Sequence, residues 1–390
     1  MIRTKCAFCA VPLAHTAPRC GRCQIRLCGR GCQKLHWKAG HKNDCKKIEL
    51  GGGAEQYCAD TNCAEAIAVA VEECADDTKG QTCYICTEAL HYKTKEGLVR
   101  GCACRGTAGF AHVSCLAEQA KVLVAEAEEN NLGEDAINAR WRRWHTCGLC
   151  KQSYHGVVRC AFGWACWKTY LGRPETDWAP LTAMKQLGIG LYDGGHYKDA
   201  VSVMEAELAT GLRLGGDEHN ILAVQTNLAN SYAKLGRLEE SVRIRRDTYS
   251  GRLRLDGELH PRTLSEANNY ANTLLVLKRF AEAKSLLRKI IPVAQRVVGE
   301  NHDMTLSMRG CYAETLYKDD DAMLDDFQEA ASIFEETART ARRVLGGTHP
   351  LTVNIEHNLR QVRAELRASL DSYEWLRARS KEILAERNTN

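Results

Sequence analysis

The 390-residue chain is 44% hydrophobic and 26% charged, with a formal net charge of +4, a balance that fits soluble globular structure in two or three domains. That charge is too small for the length to indicate nucleic-acid binding by itself. No apolar run reaches the roughly 20 residues of a membrane span, and the opening Met-Ile-Arg-Thr-Lys-Cys does not read as a signal peptide.

A cytoplasmic or nuclear location is therefore expected, where Cys-x-x-Cys pairs bind metal more often than they form disulfides. Nineteen of the twenty cysteines precede residue 167. The front of the chain is expected to be zinc-rich and the back, with only Cys311, cysteine-poor.

Residues 1–50 hold four ligand pairs: Cys6/Cys9, Cys20/Cys23, Cys28/Cys32 and His41/Cys45. Paired ligands this close can share a tetrahedral zinc, so four pairs make two closed sites with no open catalytic position. The run Leu-Cys-Gly-Arg-Gly-Cys-Gln-Lys-Leu-His-Trp-Lys-Ala-Gly-His-Lys-Asn-Asp-Cys, ending at Cys45, resembles a MYND zinc finger. The resemblance implies that Cys6, Cys9, Cys28 and Cys32 hold one zinc and Cys20, Cys23, His41 and Cys45 the other, leaving His36 and His15 as surface or packing residues. It also implies a groove for proline-containing peptides at Gln33 and Trp37, although Trp37 could equally pack the small core. So short a segment buries too little apolar surface to fold unaided, whereas a structural zinc contributes roughly 10–16 kcal/mol of apparent folding free energy. Eleven Lys/Arg stand against two acids here. Two zinc ions bound by seven thiolates reduce that formal excess to about +6. With no base-reading helix or aromatic platform, it reads as a solvated face rather than a nucleic-acid site.

Gly51-Gly-Gly opens a linker over 51–80, in which 64–75 is expected to form a short helix. Cys58, Cys63 and Cys74 read as thiols outside any metal site. Residues 81–153 repeat the ligand arithmetic with Cys83/Cys86, Cys102/Cys104, His112/Cys115 and Cys147/Cys150. Cys-Tyr-Ile-Cys, Gly-Cys-Ala-Cys-Arg-Gly-Thr, Ala-His-Val-Ser-Cys-Leu and Cys-Gly-Leu-Cys in this order resemble the RING-CH (variant RING) zinc finger of ubiquitin ligases. The resemblance implies one zinc on Cys83, Cys86, His112 and Cys115 and a second on Cys102, Cys104, Cys147 and Cys150. It makes Ile85 and Leu149 candidates for contact with a ubiquitin-conjugating enzyme, with a place in the finger's core as the alternative, and Lys151 a candidate contact to ubiquitin. Such a ligase needs no catalytic residue of its own, because it orients a charged enzyme for attack by a substrate lysine.

The chain departs from that family twice. Where RING-CH fingers carry a Trp shortly after the Cys-Leu matching Cys115-Leu116, it reads Ala-Glu-Gln-Ala, with Trp141 or Trp144 as substitutes. The 31 residues between Cys115 and Cys147 also read as an inserted helix carrying Leu116, Val122, Leu123, Val124 and Ala127.

Residues 154–180 are expected to contain an aromatic connector helix with Phe162, Trp164, Trp167 and Tyr170 on one face. Cys160 and Cys166 read as buried structural thiols. From 181 the chain repeats: residues 228–241 recur at 270–283, and His219, His260, His302 and His349 mark turns at spacings of 41, 42 and 47. Helices are expected at 261–277 and 280–298, with Pro261 at a helix start and Gly299 at an end. The pattern over 181–365 resembles tetratricopeptide repeats of the kinesin-light-chain type. Helix pairs of this kind stack because none buries its apolar face alone. The resemblance places Asn227, Asn230, Asn269 and Asn272 in a ligand groove, with hydrogen bonding between repeats as the alternative. An insertion at 318–321 is expected to lengthen one loop, and 366–390 to form a charged capping helix and tail.

The expected fold is mainly α: two small cross-braced zinc-binding modules followed by an α-helical tetratricopeptide (TPR) solenoid, with four structural zinc ions. The expected function is a soluble RING-CH ubiquitin ligase that recruits a conjugating enzyme through the variant RING. Protein or peptide substrates would bind the repeats and the MYND finger. A non-catalytic interaction scaffold is the alternative, and nucleic acid and membrane are not expected partners.

Overall fold

The structure, a computed structural model, describes residues 6–9, 11, 13 and 17–388, with side chains of the last helix given to residue 371 and at Trp375. His15 and the last two residues of the expected tail lie outside the described residues. The chain divides into two compact units, Met1–Leu235 and Gly236–Asn390. Among the described residues there is no strand, only three isolated bridges, and no helix is long and apolar enough to cross a membrane.

The first unit opens with α1 (Arg30–His36) and α2 (Lys42–Leu50), joined by a π-helical turn at Trp37–His41. Gly40, at φ 120°, makes the kink that turns His41 inward. Helix α3 (Ala54–Glu73) begins ten residues before the expected helix at 64. Gly53, at φ 94°, ends the preceding turn, and Ala54 N then donates to Cys23 O (2.8 Å). After the short α4 (Ala75–Thr78), the second cysteine-rich segment contains α5 (Val113–Glu129) and α6 (Glu134–Trp141).

Helix α7 (Gly156–Tyr170) differs from the expected one-faced connector. Phe162, Trp164, Trp167 and Tyr170 are buried, and so are Val158, Cys160, Ala161 and Cys166 on its other sides. A helix apolar all round belongs inside a core, and α7 packs against α3, α5 and α8 (Trp178–Asp193). Its crossing with α8 brings backbone to backbone. A methyl at Gly163 would lie 2.9 Å from Gln186 O, and one at Gly190 would lie 2.7 Å from Arg159 O. Helices α9 (Tyr197–Arg213) and α10 (Glu218–Lys234) follow, each packed on the helix before it.

The second unit contains α11 (Leu238–Asp256), α12 (Pro261–Val276), α13 (Phe280–Val297), α14 (Asp303–Tyr317), α15 (Leu324–Leu345) and α16 (Pro350–Asn388), each packed on its neighbour in sequence. The expected helices at 261–277 and 280–298 are α12 and α13, within one residue at each end. The recurrent histidines are helix caps: Nδ1 of His260, His302 and His349 accepts from the backbone N–H two residues on. Thr263 and Thr305 each donate to the carbonyl of the glycine that ends the previous helix, Gly257 or Gly299, at 2.8 Å. His219 departs from this register. It lies inside α10, whose cap is Asp217. The loop at 318–323 joins α14 to α15, and α16 runs unbroken to 388, so the expected separate helix at 366 is its continuation.

Candidate metal centres and the surface between them

Three of the ligand pairs are built by one turn. In the Cys20/Cys23 pair, Cys20 N donates to Ile25 O (2.8 Å), Gln24 N donates to Cys20 O (3.0 Å), and Gln24 sits at φ 61°. The Cys83/Cys86 pair repeats it with Glu88 O (3.0 Å) and Thr87 (2.8 Å, φ 66°). The Cys147/Cys150 pair does so with Gln152 O (2.8 Å) and Lys151 (3.1 Å, φ 61°). A left-handed residue other than glycine costs about 1–2 kcal/mol, which metal binding can offset. Ile85 N and Leu149 N, at the tips of the last two turns, each lie 3.4 Å from the sulfur that opens the turn.

The pairs converge as four clusters: Cys6, Cys9, Cys28, Cys32; Cys20, Cys23, His41, Cys45; Cys83, Cys86, His112, Cys115; and Cys102, Cys104, Cys147, Cys150. Within each, the ligand atoms lie within 4.8 Å of one another. Tetrahedral zinc with Zn–S near 2.3 Å requires sulfurs about 3.8 Å apart. Observed separations are 3.3 Å for Cys28–Cys32, 3.5 Å for Cys9–Cys28, 3.8 Å for Cys20–Cys45 and 3.8 Å for Cys104–Cys147. His41 presents Nε2 at 3.3 Å from Cys23 Sγ, whereas His112 presents Nδ1 at 3.3 Å from Cys86 Sγ and 3.6 Å from Cys115 Sγ. The other nitrogen of His112, Nε2, lies 3.3 Å from Ala89 O. That partner holds its proton and leaves Nδ1 free to ligate.

The thiols themselves call for a cation. Burial alone would raise Cys20, but backbone hydrogen bonding at Cys23 and the His41 side chain draw it down to about 6. Burial and then the Cys20 and Cys45 sulfurs push Cys23 up to about 12. Cys32 is pushed up to about 12 by the Cys28 sulfur beside it. Sulfurs this close cannot all ionise unless a positive ion stands among them. Donor type, number and spacing therefore fit four zinc ions, each enclosed by four protein ligands.

One further turn shares this geometry but carries no cysteine. His91 N donates to Glu96 O (3.0 Å), Lys95 N donates to His91 O (2.9 Å), and Lys95 sits at φ 60°. Thr94 Oγ1 meets His91 Nδ1 at 2.9 Å, and the His91 ring packs edge-on against that of His112. Sequence spacing missed this support because no cysteine marks it. The equal separation of His91 and Thr94 was the available signal.

Comparison with known families agrees with this geometry. The MYND finger family matches residues 6–45, the RING-variant domain family matches 83–130, and a tetratricopeptide repeat family matches 263–303 and 322–351. The chain carries a MYND finger, a RING-variant domain and tetratricopeptide repeats. Among curated proteins, it is similar to ubiquitin carboxyl-terminal hydrolase 17 of Arabidopsis thaliana, 42% identical over 50 residues, 13% of this chain and 7% of that protein. An F-box protein of Arabidopsis thaliana is 38% identical over 61 residues, 15% of this chain and 18% of that protein. The chain thus spans less than a fifth of the length of either relative. Similar solved structures include a putative kinesin light chain with nearly identical TPR-like repeats from Podosopora anserina (18% identity, 60% of this chain and 97% of that one, TM-score 0.41). BtubC (BKLC) from P. vanneervenii is another (16% identity, 71% and 93%, TM-score 0.43).

In the MYND finger, Gln33 and Trp37 are both exposed, one helical turn apart, and the Trp37 ring meets the His41 ring edge-on at 5.8 Å. Ile85, within the RING-variant match, is half-buried, and Leu149, beyond the matched residues, is 50% exposed. The Lys151 amine donates back to Gly148 O (2.6 Å). Trp141 and Trp144, expected as substitutes for the family's Trp, lie at the end of α6 and on the 3₁₀ turn that follows it. Both are buried, with Trp144 Nε1 donating to the Tyr170 hydroxyl (3.2 Å) and Trp141 packed against Tyr170 and Trp178.

In the repeats Asn227, Asn230, Asn269 and Asn272 are all half-buried. Asn272 bridges helices, accepting from Cys311 Sγ (3.0 Å). Asn358, not singled out from sequence, does the same between α14 and α16, accepting from Tyr317 (2.9 Å) and donating to Glu314 (3.0 Å). Cys311 is buried, and its thiol is pushed up to about 12 by that burial.

Proposed function

We propose that the protein is a zinc-dependent ubiquitin ligase of the RING-CH type. In this reading the four clusters hold structural zinc, and Ile85 and Leu149 dock a ubiquitin-conjugating enzyme. Lys151 contacts ubiquitin, while the MYND finger at Gln33 and Trp37 and the repeats at Asn227, Asn230, Asn269 and Asn272 select protein substrates. The layout proposed is the MYND finger at 1–50, a linker at 51–80, the RING-CH module at 81–153 and the connector at 154–180. The repeats follow at 181–365 and the cap at 366–390, in a cytoplasmic protein.

The observation that supports this most is the like construction of the Cys83/Cys86 and Cys147/Cys150 turns. Each offers one apolar tip residue beside a closed metal cluster, so neither metal need react. A second reading, a non-catalytic scaffold, draws on the Ala-Glu-Gln-Ala run at 117–120 and on the burial of Trp141 and Trp144.

Autoubiquitination with a panel of conjugating enzymes separates the two. The ligase reading expects activity that both Cys102→Ser and Ile85→Ala abolish. A preparation shown by metal analysis to hold four zinc ions, yet silent with every enzyme, leaves the scaffold.

A further inference from the structure

Arg143 lies just before the Cys147/Cys150 turn, on the 3₁₀ turn Arg142–Trp144, and the metal chemistry does not use it. Its guanidinium donates to Gln119 Oε1 on α5. It also lies so close over Gly148 that a methyl there would overlap both terminal nitrogens. The buried Tyr84 Oη faces the same guanidinium. Tyr84 and Gly148 immediately precede the tip residues Ile85 and Leu149, so the cation sits between the two turns. Gln119 belongs to the 117–120 run that departs from the family pattern, and a polar pair stands there in place of an apolar ring.

Resting on the ligase reading, we infer that Arg143 is the specificity centre of the partner surface, and that the conjugating enzyme it accepts offers a carboxylate to it between two apolar contacts. A guanidinium carries five donors, and no carboxylate among the described residues pairs with Arg143. When a partner loop covers Ile85 and Leu149, the half-buried charge between them loses water. A purely apolar loop leaves that charge unpaired, whereas an Asp or Glu forms a charge-assisted, bidentate pair. Gly148 is what makes the seat: its backbone is ordinary, and only the missing Cβ lets the guanidinium lie flat.

The test uses the full zinc-loaded chain and measures binding to each member of a panel of uncharged conjugating enzymes by interferometry, with zinc content checked for every variant. Expected is binding by enzymes with an acid in the docking loop. Arg143→Glu should weaken it by about 10- to 30-fold, and replacing the enzyme's acid by Lys should restore it. Gly148→Ala, which displaces the guanidinium with one methyl, should weaken it in the same direction. Unchanged affinity for both variants at full zinc content, while Ile85→Ala abolishes binding, overturns the role of Arg143 and leaves the ligase reading standing. Loss of zinc from both Arg143→Glu and Gly148→Ala would assign Arg143 to the metal cluster and overturn the inference. Binding of no enzyme by the wild type overturns the ligase reading and the inference with it.

Discussion

Gly190→Ala tests how the zinc-bearing part of the first unit is joined to its later helices. The added methyl would meet Arg159 O at 2.7 Å and Cys160 Cα at 3.2 Å. Both are backbone atoms of α7, which cannot rotate away as a side chain can. Restoring ordinary contact means opening the α7–α8 crossing by about 0.7 Å in a close-packed interior. Overpacking costs about 1–3 kcal/mol, and about 2–3 kcal/mol where, as here, the atoms met are backbone, while replacing a helical glycine by alanine returns roughly 1 kcal/mol. The net loss expected is about 1–2 kcal/mol, or a fall in melting temperature of roughly 2–8 °C for a unit of this size.

Gly163→Ala opens the same crossing from the other side, against Gln186 O at 2.9 Å. Because one separation accommodates both methyls, the double variant should cost less than the sum of the singles. Thermal unfolding followed by circular dichroism on the zinc-loaded protein gives all three values. A Gly190→Ala protein as stable as the wild type, or a strictly additive double variant, would refute backbone-to-backbone contact at this crossing.

Glu207, buried on α9, is raised to about 8 by burial, only partly opposed by Lys185. Between its ordinary value near 4.5 and 8, the folded state holds a proton that the unfolded state has released, so stability falls as pH rises through that window. Glu207→Gln should therefore melt higher than the wild type at pH 8.5 and lose that advantage toward pH 5; an equal difference at both would contradict it. In the second unit, His260→Ala and His302→Ala should each cost about 0.5–2 kcal/mol through loss of a cap, with Asn restoring most of it. Denaturant unfolding would measure this, and an Asn variant no better than Ala would count against capping.

The ligand pairs were legible because sulfur and imidazole at short spacing have few other uses in a chain of this composition. The structure gathers those same residues. The turns of the repeats were legible through the period of their histidines, which cap helices, although the period misplaced His219, where an acid takes the capping role. What sequence could not give lies where the signal is the absence of a side chain or the presence of an ordinary one. Helix α3 starts early because Gly53 ends a turn that a backbone carbonyl of the MYND finger then receives. Trp141 and Trp144 went inward because Tyr170 and Phe162 on α7 offered them aromatic contact, which no local pattern reveals. The 91–96 turn and the Arg143 seat over Gly148 rest on a threonine, a glutamine and a glycine, residue types too common to single out by spacing.

The alternation of ligand sets along the chain sets the order in which this protein can be made. Cys104 is synthesised 43 residues before its partner Cys147, a delay of roughly 2–9 seconds at ordinary elongation rates. For that interval a pair of thiols destined for metal stands without half of its site, while α5 and α6 are still emerging. A nascent chain that meets an oxidant then can be trapped by a wrong sulfur–sulfur bond before zinc closes the loop. The supply of metal and of reducing power during synthesis thus bears on this protein's yield.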